Sequence, residues 1–566
     1  MDFTATIPDE TLSHIFSCVR LIEPFSRDRS PRSRSVAETR LLGWIKITFV
    51  NRRWRRVAID NSTFWTQLDG QLGPAWYKEF LRRSKDAPLA IDDDFRPNID
   101  GPSKESFRKL IATQRKRIKS LHLNATLRDG LPTVDRLISS EYERLEELNL
   151  SVSDTRSPST VALIGRCNSL LEKAPRLVRL SLALPDVLLG DIAWTIPCFT
   201  QLVSLNLYGM VSTLFAPKIL DALSQMNALT RLTLTESTRG LSLHTPTPIS
   251  CDHRCSGSPE DIIHLKQTHS VIMEGSIELL IHLLRHFQIP PHARIALVRR
   301  PTSSSTSLEP GTSEAFTQAL YGLCASQLHT TSILSAHISF DDPSYGEAPA
   351  SLSLSRGLRP SSPFAELSMR RSKHAPLSGN DIILQWMDAA TLAGIIAPQN
   401  TDLVRALILH DAGLAARSTH SLLHKFTGVE RLCFRTSGPS GVPLHGLKLL
   451  MDATLLPKLR FVALGAQEYT LSAILTCFAP DGPHRGLAAK RFPALENVLE
   501  ARRASGKPLE AIYLHVADEV VLVEDGRIGE TSCPNYEPEL VLESVRQLRK
   551  VQGVEIVGKD FDVFGM

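Results

Sequence analysis

A six-residue frame with apolar residues at its first, fourth and sixth positions recurs along this chain, and it narrows the possible folds more than any other feature. Copies stand at Ile118/Leu121/Leu123, Leu145/Leu148/Leu150, Leu177/Leu180/Leu182, Leu202/Leu205/Leu207 and Leu229/Leu232/Leu234. Their starts lie 27, 32, 25 and 27 residues apart. The alternation within each frame reads as a strand with one buried face. Between frames the apolar spacing turns helical, as in Ile219, Leu220, Leu223 and Met226, or Ile277, Leu280, Ile281 and Leu284. One strand and one helix cannot bury their own apolar faces, whereas stacked copies share a continuous core.

A second series follows at Val404/Leu407/Leu409, Val429/Leu432/Phe434, Leu459/Val462/Leu464 and Leu509/Ile512/Leu514. A last copy is expected at Val551/Val554/Ile556, after a helix near Glu539 to Arg549. Between the series, roughly 300 to 380, the frame weakens and Ser, Thr and Pro accumulate, as in Pro301 to Ser307.

With 566 residues, 42% of them hydrophobic and 22% charged, the chain has the apolar material for a large core, which excludes a disordered chain. No stretch approaches the roughly 18 apolar residues that would cross a bilayer, and the start lacks a basic and then apolar leader. The expectation is a protein of the cytoplasm or nucleus with no membrane partner. Nine scattered cysteines fit a reducing compartment better than a disulfide framework. The first 120 residues hold 23 Lys and Arg against 15 Asp and Glu, hence +8, and the remainder carries −4 to give the net +4. That balance is weaker than a dedicated nucleic-acid binder needs, so no nucleic-acid partner is expected.

The amino-terminal segment has a different pattern. Ile7-Pro8-Asp9-Glu10 reads as a helix start, with two carboxylates where the helix dipole favours them. Leu12, Ile15, Phe16 and Val19 then fall at i, i+3, i+4 and i+7 on one stripe. The Ser/Arg-rich stretch Pro24 to Ser35 reads as a surface loop; helical periodicity resumes from Leu41 and keeps its register through Val50, Trp54, Val57 and Ala58. So small a helical unit needs a partner, or the following domain, to cover its apolar side.

The pieces Ile7 to Phe16, Val50 to Ala58 (with Arg52-Arg53-Trp54-Arg55-Arg56) and Phe64 to Leu68 resemble the F-box-like domain of fungal proteins, interrupted by the Ser/Arg loop. The resemblance covers about an eighth of the chain. It implies docking on a Skp-type adaptor, which links such proteins to a cullin and RING ubiquitin ligase. It carries the adaptor contact onto Pro8, Leu12, Ile15, Phe16, Val50 and Trp54. The competing reading makes the same apolar residues the core of a cap on the solenoid, and Trp54 and Trp65 read as internal under either view. The repeating units resemble leucine-rich repeats, whose period is about 20 to 29 residues, and F-box chains commonly use such a solenoid to grip the protein to be ubiquitinated. The Asn that recurs in those repeats is replaced here by Ser153, Pro185 and Met210, so an irregular solenoid is expected.

Other motifs read as bland. Cys251-Asp252-His253-Arg254-Cys255 lacks a zinc spacing and a second pair, and reads as a surface loop. Arg52, Arg53, Arg55 and Arg56 read as a solvated helix face, and Gln114 to Lys119 is a weak match to a nuclear localisation run. His410-Asp411 and Ser440 form no nucleophile constellation, and neither a P-loop nor a G-x-G-x-x-G cradle is present.

The sequence therefore predicts an α/β chain: an F-box-like helical domain at 1–70 with its insert at about 24–40, then a leucine-rich-repeat-like solenoid at 71–300, an irregular segment at 301–380 and a second solenoid part at 381–566. The expected role is a non-catalytic substrate receptor of an SCF-type ubiquitin ligase, with no cofactor and no metal. The alternative is a repeat scaffold or interaction module with no ubiquitin link.

Overall fold

The computed structural model describes residues 6–23, 43–69, 74–92, 112–125, 141–152, 160–184, 189, 192–210, 217–236, 262–299, 315–316, 318–320, 323, 335–340, 350–355, 381–387, 404–411, 420, 423–436, 449–466, 498–509 and 511–515. The chain divides into two compact units, Met1–Thr268 and His269–Met566. It is an α/β protein with a helical amino-terminal region followed by strand-helix units of a leucine-rich-repeat-like solenoid.

The first unit begins with α1 (Asp9–Ile22), entered through Pro8 with Asp9 and Glu10 in its first turn. Leu12 and Phe16, one turn apart, point inward and are fully buried. The helical register expected from Leu41 to Ala58 is interrupted. A 3-10 helix spans Gly43–Phe49, and α2 (Arg52–Asp60) starts afresh. The break has a local cause: Asn51 is extended, and its side chain accepts the Trp54 backbone N–H at 2.8 Å, which makes it the N-cap of a new helix. Beyond the short 3-10 turn Ser62–Trp65 come β1 (Gln67–Asp69) and α3 (Pro74–Ser84).

An aromatic cluster holds these pieces together. The Trp44 and Trp65 rings lie 5.1 Å apart, Trp65 and Phe80 5.0 Å, and Phe16 and Trp54 5.0 Å. The buried Trp65 indole donates to Ala58 O at 2.8 Å, so its polar edge is satisfied inside the core. Trp65 stands three residues before Leu68, the first-to-fourth spacing of the repeat frame. The tryptophan that ends the second 3-10 turn thus also opens the strand array.

That array continues through β2 (Leu89–Asp92), β3 (Ile118–Ala125), β4 (Glu147–Val152), β5 (Arg179–Ala183), β6 (Ser204–Met210) and β7 (Arg231–Glu236), each parallel to the one before. A two-residue strand, β8 (Ile263–His264), follows. The fourth frame positions pair in register as Leu121, Leu148, Leu180, Leu205 and Leu232, and the sixth as Leu123, Leu150, Leu182, Leu207 and Leu234. All fifteen apolar residues of the five frames are at most 2% exposed. Each such burial is worth about 1.5–3 kcal/mol, so the ladder is the main stabilising feature of this unit. Between strands the chain forms α4 (Thr160–Glu172), a 3-10 turn at Pro197–Gln201 and α5 (Pro217–Gln225), whose Ile219, Leu220 and Leu223 are buried as their spacing predicts.

The missing Asn ladder has a backbone counterpart. The carbonyl at the second frame position accepts the N–H groups of the second and third positions of the next unit. Glu146 O takes Val178 N and Arg179 N, each at 2.9 Å; Val178 O takes Val203 N and Ser204 N at 2.8 and 3.1 Å; Val203 O takes Thr230 N and Arg231 N at 2.9 and 3.1 Å. Backbone groups freed at the strand entry are satisfied without any side-chain requirement.

The second unit opens with β9 (Ser270–Gly275), α6 (Ile277–His286), the short β10 (Phe287–Gln288) and β11 (Arg294–Arg299). Ser276 caps α6 by accepting Leu279 N–H. The segment expected to be irregular holds β12 (Ser335–Phe340) and β13 (Ala350–Ser355), and β14 (Asp381–Met387) follows. The parallel order breaks here. β13 runs antiparallel to both β12 and β14, while β14 pairs parallel with β11 and β12 pairs parallel with β15 (Ala406–Asp411). β16 (Arg431–Thr436), β17 (Phe461–Ala466) and β18 (Ala511–His515) then add in parallel order. The carbonyl pattern returns, with Arg405 O taking Glu430 N and Arg431 N, and Glu430 O taking Arg460 N and Phe461 N. Val404, Leu407, Leu409, Val429, Leu432, Leu459, Val462 and Leu509 are buried. The side chains of Phe434, Leu464, Ile512 and Leu514 lie outside the described ones, as do the helix expected near 539–549 and the frame at 551–556. Among the described residues no helix is long and apolar enough to cross a membrane.

Candidate interaction surfaces

The six residues singled out for adaptor contact separate into two groups. Leu12 and Phe16 are 1% and 0% exposed, so their side chains belong to the core of the first unit rather than to its surface. The correction follows from the helix itself: a residue four positions from another shares its face, and that face is covered by Trp54 and Phe64, whose rings lie 5.0 and 6.4 Å from Phe16. Trp54 is half-buried, as the core side of that stack requires. Pro8, Ile15 and Val50 are exposed.

A second stripe on α1 is hard to separate from the first by spacing alone. Ile15, Cys18 and Ile22, at i, i+3 and i+7, are exposed, with Leu21 beside them. Leu21 is 80% and Ile22 79% exposed, and at the junction before α2 Phe49 is 62% and Val50 58% exposed. Five large apolar side chains displayed by a helical region this small are more than scattered surface residues need explain. The signal is present in the sequence as apolar residues on both sides of one helix, but only packing shows which side is inward.

Arginines fix the scaffold behind that surface. Arg53 binds the Asp9 carboxylate at 2.6 Å and also donates to Ile7 O, while Arg56 reaches the same carboxylate at 3.5 Å. Arg55 donates to Thr48 O at 2.8 Å and lies 5.9 Å from the Phe49 ring centroid. Arg20 donates to Thr63 O at 2.8 Å, and burial lowers its pKa. The cluster expected to be a solvated face is therefore partly a set of clamps between α1, the 3-10 helix and α2. Likewise Arg117, within the basic run 114–119, turns back to Ala87 O at 2.9 Å and to Ser84 Oγ at 2.9 Å.

The strands of the first unit present a second, polar surface. Register aligns His122, Asn149, Ser181, Asn206 and Thr233 at the fifth frame position, with Asp92 paired beside His122. At the third position Glu147 and Arg179 meet at 3.0 Å, and His122 Nδ1 lies 3.1 Å from Asp92. The rows offer donors and acceptors on a rigid backbone, which suits recognition of a peptide or protein surface.

Among the described residues, candidate chemical groups are few. Cys167 and Cys198 are buried, and burial pushes both thiols up to about 12, which makes them inert. Cys251 to Cys255 and Ser440 lie outside the described residues, as do the side chains of His410 and Asp411. In the second unit His420, His424 and Asp452 converge, with donor atoms all within 4.8 Å of one another. No linear motif announces that group, because its members sit on two successive repeats. Comparison of the whole chain with protein-family models and with curated proteins finds no match to either.

Proposed function

We propose that this chain is a substrate receptor of a cullin-RING, SCF-type ubiquitin ligase, in which the helical amino-terminal region binds a Skp-type adaptor and the solenoid binds a target protein. One observation carries the reading: a helical region that already buries Leu12, Phe16, Trp44, Phe64 and Trp65 still displays Ile15, Leu21, Ile22, Phe49 and Val50 to solvent. The polar strand rows supply a separate surface for the target. The receptor's contribution is geometric, because tethering a target near a loaded ubiquitin carrier raises the effective concentration of its lysines toward the millimolar range. No residue of this chain does bond chemistry in that scheme. Cytoplasmic or nuclear residence is part of the proposal, and the role requires no cofactor.

The burial pattern chooses the variants that test it. Leu12→Asp places a carboxylate in a dry core and destabilises the fold whatever the function, so it reports only on folding. Ile15→Asp with Val50→Asp charges the outer surface and leaves the core intact. The full chain is expected to co-purify with a Skp-type adaptor when the two are co-expressed, and the double variant, folded by circular dichroism, is expected to lose that capture at least ~10-fold, the effect of about 1.4 kcal/mol. Equal capture by the folded double variant, or no capture by the parent, rejects the adaptor role and favours a repeat scaffold with a helical cap.

A further inference from the structure

The second unit gathers two imidazoles and a carboxylate where consecutive repeats meet. His420 and His424 are one helical turn apart, with His424 N donating to His420 O at 3.2 Å, so both rings emerge on one side of the turn that precedes β16. Their ring centroids are 4.8 Å apart. Asp452 comes from the equivalent turn before β17 and brings one carboxylate oxygen to 3.4 Å from His420 Nε2. Leu423, between the two histidines, is buried and anchors their turn in the core.

We propose that His420, His424 and Asp452 bind a divalent transition-metal ion of the zinc type, which clips two successive repeats together. Two donors on a tetrahedral ion with bonds of about 2.0 Å stand roughly 3.3 Å apart, close to the separation of His420 and Asp452. Neutral imidazoles with one carboxylate select zinc or a neighbouring transition ion over calcium or magnesium, which take oxygen donors. With His420 and Asp452 about 40% exposed (41% and 39%), an ion has a path in, and the fourth position is open to water or to a donor from a partner.

The supporting groups around Asp452 are already in place. Its other oxygen accepts Thr454 N at 2.9 Å and Thr454 Oγ1 at 2.5 Å, and these bonds hold the carboxyl below its usual range. The turn carrying it is pinned from beneath by buried Arg502, which donates to Leu450 O, Leu455 O and Leu456 O at 3.1, 2.9 and 3.4 Å. Lys507 Nζ adds a bond to Ala453 O at 3.3 Å. Such outer groups orient a ligand before the metal arrives. A plain surface ion pair between His420 and Asp452 needs neither His424 nor this support.

The test uses the untagged full chain with Cys251→Ser and Cys255→Ser, so that zinc held by that segment is not counted, after stripping with a chelator. Zinc chloride is titrated by calorimetry, and cobalt(II) is added as a visible probe of tetrahedral coordination. The expected result is one zinc per chain, a tetrahedral cobalt spectrum and a rise in melting temperature with zinc. His424→Gln and Asp452→Asn, which leave the buried anchors untouched, are each expected to weaken zinc at least ~10-fold and to abolish the thermal shift. The proposal is overturned if the parent binds zinc no more tightly than a dissociation constant of about 100 μM. It is equally overturned if both folded variants bind as tightly as the parent.

Discussion

Arg502 offers a sharp test of how the second unit holds its turns. Its side chain is 0% exposed and donates to three carbonyls of one turn at 2.9, 3.1 and 3.4 Å. Burial lowers its pKa, and nearby Asp452 acts the other way. Arg502→Met keeps much of the apolar stem and removes the guanidinium. Hydrogen bonds from a charged donor are worth about 1.5–3 kcal/mol each, which gives about 3–6 kcal/mol for the two shorter ones. Relief of the buried charge offsets part of this, and Leu456 O keeps the Leu459 N–H at 3.0 Å. A net loss of about 2–4 kcal/mol follows. Arg502→Lys is expected to restore little of it, because an ammonium's donors radiate from one atom and do not reproduce the planar spread by which Nε, Nη1 and Nη2 reach three separate carbonyls. The assay is urea unfolding followed by far-ultraviolet circular dichroism, with the exposed neighbour Arg503→Met as control. If Arg502→Met costs no more than the control, or less than about 0.5 kcal/mol, the carbonyl clamp is not a source of stability and the account of a pre-formed Asp452 turn fails with it.

Three other outcomes are expected. Leu205→Ala, at the centre of the fully buried ladder, costs about 2–5 kcal/mol in denaturant unfolding, whereas Thr233→Ala on the polar row changes stability by about 0.5 kcal/mol or less. Gly209→Ala is destabilising beyond the usual alanine effect, because Gly209 has φ +100° and an added Cβ would lie 2.2 Å from Leu184 O, a clash read as a lowered melting temperature. His282, 4% exposed on α6, has its pKa pushed down to about 4 by burial and then by His286 and Arg285. The unfolded chain takes up this proton near pH ~6.5 and the folded chain only near 4, so the stabilising contribution is full above ~6.5 and is lost as pH falls toward 4; at about 1.4 kcal/mol for each tenfold loss of proton affinity on folding, it amounts to roughly 3 kcal/mol. His282→Gln should flatten the dependence of the urea midpoint over that window, and an unchanged slope would refute the assignment.

The repeat is legible because its leucines do one job at fixed intervals. The copies that escape a search for leucines are those where another residue does that job. At Thr268/Val271/Met273 a threonine takes the first position, fully buried, with its hydroxyl satisfied by Leu229 O at 2.9 Å. Trp65 opens β1 in the same way but reads as part of the helical motif. The antiparallel β12–β13–β14 excursion leaves no period to detect.

The candidate surfaces show the same division. Sequence spacing places Leu12, Ile15 and Phe16 near one another on a helix, which geometry guarantees, but not which of them would face inward. The sequence by itself determined strands with one buried face, their alternation with helices and a separate helical start, because 2.0 and 3.6 residue periods are local properties of the backbone. Tertiary structure alone decided that Leu12 and Phe16 are core while Ile15 and Val50 are surface, that arginines clamp α1 to α2, and that Asp452 meets two histidines from the preceding repeat. Those outcomes depend on which residues distant in the chain come to lie side by side, and stacking, rather than any local pattern, sets that.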